Sequence, residues 1–179
     1  MFYSVLKKAS FLIALSLPLI VPAHAGVDNC MVGKWRPDPV QLKQQFSQMS
    51  KQQVASIKGN VFLSFNKNGS GTYQMQNFTL SMKPNAGGPP MKITMVMNGN
   101  SSFSWAAVNR NFSIKNYKMA LKTSGSMQMG GTTIPLPSMP INNNEAAKAV
   151  ADGGYSCSGN KLVFQPRGKG SMLKVWHRM

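Results

Sequence analysis

Val61-Phe62-Leu63-Ser64-Phe65, then Asn66-Lys67-Asn68-Gly69-Ser70-Gly71, then Thr72 running on to Met82: this stretch decides the fold. Its first arm is rich in aromatic and aliphatic residues that suit a pleated, half-buried surface. Its middle places Asn, Gly and Ser where a chain reverses tightly. Its last arm answers the first as a partner strand, so the unit reads as a β-hairpin.

The same grammar repeats toward the C-terminus. After a Gly/Pro-rich connector at 84–90, Met91, Ile93, Met95 and Met97 alternate with Lys92 and Thr94, the period of a strand with two unlike faces. Residues 102–108, the turn Asn109-Arg110-Asn111 and residues 112–122 give another hairpin. Residues 127–136 read as an irregular strand interrupted by Gly130-Gly131. A short helix suits 144–151, ended by Gly153-Gly154. The last strands fall at 155–157, 161–165 and 172–177. Short strands at regular spacing imply a barrel or sandwich, mostly antiparallel. Working back from Val61, helical spacing of Leu42, Phe46, Met49 and Ile57 predicts a helix over 39–58. Asp38 is placed to cap it, Pro39 to open it and Gly59 to stop it.

Residues 1–25 have the form of a secretory signal. Lys7 and Lys8 precede a short apolar run at 11–21, and Ala23-His24-Ala25 is a small-residue cleavage site. Removing 25 of the 179 residues leaves 154, the size of one domain spanning 26–179. Nothing further is apolar and long enough to span a bilayer by a helix, so the expected destination is the periplasm or the outside. Both cysteines, Cys30 and Cys157, lie in the remaining part. An even pair in an exported chain favours a disulfide over two free thiols.

Charge is the strongest compositional signal. Of 20 basic residues, Lys7 and Lys8 leave with the signal; the other 18 face only Asp28, Asp38, Glu145 and Asp152, a net charge of +14. Such a chain is drawn to polyanions, and an anionic envelope surface is the expected one. The cations are scattered rather than clustered, so no specific nucleic-acid site is expected.

The triplet Gly33-Lys34-Trp35 resembles the Gly-x-Trp signature on the first strand of the lipocalin-like (calycin) group. The resemblance implies an up-and-down antiparallel β-barrel with Trp35 closing its floor. It also implies a basic residue near the last strand packing across that indole, and Arg178 in Trp176-His177-Arg178 stands at the fitting place. The helix between Trp35 and the next strand departs from the family pattern; it would either plug one end of the barrel or pack on its side.

Catalysis finds little to work with. Without the signal the chain keeps one histidine, His177, and no paired carboxylates, so no enzymatic role is expected. No cofactor is implied. The sequence holds 14 methionines, and Met95-Val96-Met97 and Met127-Gln128-Met129 place two thioethers on one side of a strand. Thioethers can hold Cu(I), which gives one alternative function. They also line adaptable apolar surfaces. The expected ligand-lining residues are Phe62, Phe65, Tyr73, Met75, Met95, Met97, Phe103, Trp105 and Phe112. The expected function is non-catalytic binding of an apolar or lipid-like molecule at the cell envelope. A basic polyanion or cell-wall module with a filled barrel is the other alternative.

Overall fold

The computed structural model describes residues 26–50, 52–84, 90–138, 152–167 and 173–179. The signal expected at 1–25 and the short helix expected at 144–151 lie outside the described residues. The elements in chain order are β1 (Gly33–Pro37), α1 (Pro39–Ser50), β2 (Gln53–Phe65), β3 (Ser70–Lys83), β4 (Met91–Val108), β5 (Asn111–Met129), β6 (Thr132–Leu136), β7 (Asp152–Ser158), β8 (Lys161–Pro166) and β9 (Val175–Arg178).

β2 and β3 form the expected hairpin, with its turn at 66–69. Asn66 N–H donates to Ser70 O at 2.8 Å, and Asn68 Oδ1 accepts from the Ser70 amide at 3.0 Å, so the turn satisfies its own polar groups. From there every neighbour pairs antiparallel, and the pairings run β1–β2–β3–β4–β5–β7–β8–β9 and back to β1, a ring. β6 adds to the far end of β5, outside that circuit.

Strand lengths make the ring uneven. β4 and β5 have 18 and 19 residues, whereas β7, β8 and β9 have 7, 6 and 4. β1 meets β2 only at Leu63–Phe65, and β7 meets β5 only at Asn111–Ser113. The ring therefore closes at one end. Beyond it, among the described residues, β2 to β6 continue as a five-stranded sheet.

The closed end is filled. The Phe65 ring sits 5.7 Å from Phe103, 4.9 Å from Trp105 and 6.2 Å from Phe164, and Phe164 sits 4.9 Å from Phe112. Edge-to-face packing of this kind adds to the roughly 1.5–3 kcal/mol each ring gains by burial. Cys30 and Cys157 form a disulfide with Cα atoms 6.0 Å apart, joining the segment before β1 to β7.

Several boundaries differ from expectation: the strands expected near 91–97 and at 102–108 are one strand, β4, residues 112–122 and 127–129 both lie in β5, and Gly153 and Gly154 lie in β7. The helix ends at Ser50, and β2 begins at Gln53. Val54 and Ile57 are strand residues paired with Met82 and Leu80, and Gly59 lies inside β2 at a register shift. Branched Val54 and Ile57 are better used on a sheet than on a helix. Asp38 does cap α1: its Oδ1 accepts from Val40 and Gln41 amides at 3.0 and 2.9 Å. Residues 127–136 are not one irregular strand. β5 runs to Met129, Gly130 and Gly131 take φ of 56° and 87° as a two-residue turn, and β6 returns.

Candidate ligand-binding site

Side chains that face inward are set by strand parity. On β4 the odd residues from Ile93 to Ala107 point in. On β3 the inward set is Tyr73 and Met75, then Phe78, Leu80 and Met82, because a register shift between Met75 and Phe78 moves the parity by one. On β5 it is Phe112 and Ile114, then Tyr117 and Leu121, after a second shift opposite Ser102–Ser104. Asn77 and Asn116 sit at these bulges with φ of 48° and 54°, a conformation Asn tolerates.

Of the expected lining residues, Phe65, Met75, Met97, Phe103, Trp105 and Phe112 belong to the buried core, and Tyr73 and Met95 pack against it half-buried. Phe62 is different. It alternates to the outer face, stands apart from that core, and carries the Lys34 Nζ 3.8 Å from its ring centroid.

The inner surface changes character along its length. Aromatic rings fill the closed end. Farther along, Tyr73, Ile93, Met95, Tyr117 and Leu121 keep part of their surface accessible while packing on the core. Burial pushes the Tyr73 phenol well above its ordinary range, with the neighbouring Tyr117 adding to the shift. Burial also raises Tyr117, and Ser101 partly offsets it. Ser101 is 1% exposed, and its hydroxyl has no hydrogen-bond partner of ordinary geometry. Across the sheet Met97 is paired with Phe78 and Thr123, and Met95 with Leu80 and Gly125. No group of three or more His, Cys, Asp or Glu that could hold a metal occurs among the described residues.

No family model, curated protein or solved structure matches this chain.

Helix α1 covers part of the inner surface. Leu42 is buried in the core, and Phe46 packs 5.5 Å from Phe78. Between α1, the end of β1 and β2 lies a cleft of about 450 Å³. Leu42, Ile57, Val61 and Phe78 give it an apolar floor, and Arg36 and Lys43 stand at its rim. The outer face of the long strands is basic: Lys58, Lys83, Lys92, Lys115, Lys118 and Lys122 are all exposed. From residue 39 to residue 144 the chain has no carboxylate to offset them.

Leu42, Phe78, Tyr117 and Ser101 were missed as site residues from sequence. Leu42 reads as ordinary helix core. Phe78 and Tyr117 are hidden by the two bulges, whose only trace is an Asn within each strand.

Among the described residues no helix is long and apolar enough to cross a membrane. The disulfide accords with an oxidising compartment.

Proposed function

We propose that this chain is an exported, non-catalytic binding protein for an apolar or amphipathic, lipid-like molecule. Its sheet is a lipocalin-like β-barrel, and its site of action is the periplasm or the outer side of the cell. The observation that carries this reading is the contrast along the inner face: aromatic rings fill one end, while Tyr73, Met95, Ile93 and Leu121 stay partly accessible farther along. Thioether and aliphatic side chains adapt to ligands of irregular shape, and apolar sites with few polar groups are the usual setting for such ligands. The basic outer face holds the protein near anionic head groups.

The test is extraction of the purified protein into organic solvent followed by lipid mass spectrometry, with titration of the fluorophore N-phenyl-1-naphthylamine. Co-purifying lipid or saturable fluorophore binding supports the reading. A protein that carries no lipid and takes up no fluorophore ends it.

The carboxylate-free stretch from 39 to 144 favours a second reading, a polyanion-binding module with a filled interior. Salt-sensitive binding to lipopolysaccharide without fluorophore uptake is its signature.

A further inference from the structure

We propose that the α1–β2 cleft is the headgroup site of this protein, and that it selects single-chain amphiphiles with an anionic head, phosphate or carboxylate. The inference rests on the lipid-binding reading and adds the location and charge of the recognised head.

The cleft is built in two chemical layers. Its floor is Leu42, Ile57, Val61 and Phe78, and Leu42, Val61 and Phe78 belong to the core that also contains Met75 and Met97. An acyl chain lying there meets mostly hydrocarbon, with Ser56 and Asn60 as polar neighbours on the β2 side. Its rim carries Arg36 from β1 and Lys43 from α1, both exposed, and neither side chain is in a hydrogen bond or ion pair among the described residues. Phe62 forms part of the wall, and Lys34 lies over that ring, adding a third cation beside the opening.

Met179, the last residue of the sequence, also lines the cleft, and the Asp38 side-chain carboxylate near its entrance is engaged elsewhere. Asp38 turns its Oδ1 to the Val40 and Gln41 amides, and its Oδ2 lies 3.4 Å from His177 Nε2. A cationic rim over an apolar floor fits a head that is negative and a tail that is not. Arg36 presents a planar fork suited to two oxygens at once, and Lys43 presents a point charge.

The experiment uses purified protein loaded with N-phenyl-1-naphthylamine and displaced by dodecyl phosphate, by laurate and by uncharged 1-monolauroylglycerol. Wild-type protein is expected to bind the better anionic ligand about tenfold more tightly than the uncharged one at low salt, a factor within reach of two exposed charge contacts. The tighter of the two anions identifies the head as phosphate or carboxylate. Arg36→Ala with Lys43→Ala is expected to abolish the preference and leave fluorophore binding intact. Arg36→Lys with Lys43→Arg is expected to retain most of it. Lys118→Ala with Lys122→Ala, on the outer face of β5, is expected to keep the full preference.

Fluorophore binding with no anionic preference overturns the headgroup site and leaves the lipid-binding reading standing. So does a preference that survives loss of Arg36 and Lys43, or one that disappears with Lys118 and Lys122. Absence of fluorophore binding overturns both.

Discussion

The guanidinium carbon of Arg178 lies 4.3 Å from the centroid of the Trp35 ring. The same side chain donates to Cys30 O at 2.6 Å, Val32 O at 2.8 Å and Gly159 O at 3.2 Å. Trp35 is fully buried and donates its own Nε1 to Met31 O at 2.8 Å. One cation thus joins β9, β1, the segment before β1 and the β7–β8 turn. Gly33 makes the arrangement possible: its φ is +136°, and a Cβ there would sit 2.6 Å from Arg178 Nη1.

Removing Arg178 therefore strips one face of Trp35 and leaves three carbonyls without their donor. Arg178→Ala is expected to cost about 2–4 kcal/mol in urea unfolding at unchanged m-value. Arg178→Lys keeps a cation but not the fork and is expected to cost about half as much. Gly33→Ala is expected to be destabilising with Arg178 present and clearly less so with Ala at 178, because the clash is with that side chain. Additive losses in this cycle, or a stable Arg178→Ala variant, remove the lock from the account.

The disulfide closes the same end by covalent means. Its partners are 127 residues apart, so reduction frees a long loop in the unfolded chain. Replacing both cysteines by Ser is expected to lower stability by about 2–5 kcal/mol. Gly26 O still accepts from the Ala107 amide at 2.8 Å, and Tyr155 still donates to Asp28 at 2.5 Å, so the segment before β1 keeps anchors. The expected result is a lower melting temperature with strand circular dichroism retained at room temperature. Identical melts with and without reductant contradict it.

Much of the ring was legible because alternation is a short-range signal. Residues 61–82 and 91–97 declare their strands by local pattern alone. The contact of Arg178 with Trp35 was also expected, as what the Gly-x-Trp resemblance implies; the close approach of Gly33 to Arg178 was not. What could not be read is whatever depends on register. Asn77 and Asn116 look like ordinary polar strand residues, yet each adds a residue to one strand and reverses inside and outside beyond it. The face of Phe62 was illegible for a related reason: Val61, Phe62 and Leu63 are all apolar, so alternation cannot decide which of them faces in. The helix was drawn too long because Val54 and Ile57 fall near helical spacing, and only pairing with Met82 and Leu80 assigns them to β2. The cleft at α1 was invisible because Arg36 and Lys43 meet only in three dimensions.

Asp38 gives an acid-side prediction. The Gln41 amide is the largest influence holding its carboxyl below the ordinary 3.8; burial opposes this, and His177 and the Val40 amide add to it. A depressed folded value means the stabilisation is full above the unfolded value and is lost as pH falls through the lower folded value. Asp38→Asn keeps the cap oxygen but not the charge, so it is expected to flatten the stability profile below about pH 4 while costing under about 1 kcal/mol at neutral pH. A variant whose acid unfolding curve overlays the wild type shows that Asp38 carries no such linkage.

The alkaline limb is set by phenols. Tyr73, Tyr117 and Tyr155 are all raised above their ordinary value of 10, with burial the largest cause in each. Tyr155 is raised further because its hydroxyl donates to the Asp28 carboxylate, which a phenolate cannot do. For an acid whose folded value is raised, the stabilisation is full below the unfolded value and is lost as pH climbs toward the folded one. Stability is therefore expected to decline from about pH 10 upward. Phenolate absorbance is expected to stay low past that point and then rise together with loss of the near-ultraviolet circular dichroism. Tyr155→Phe is expected to cost about 1–3 kcal/mol at neutral pH, since Asp28 Oδ2 loses its donor, and to soften the alkaline decline. Three phenols ionising gradually around pH 10 in a protein that stays folded are incompatible with the burial of Tyr155 and with the packing of Tyr73 against the core.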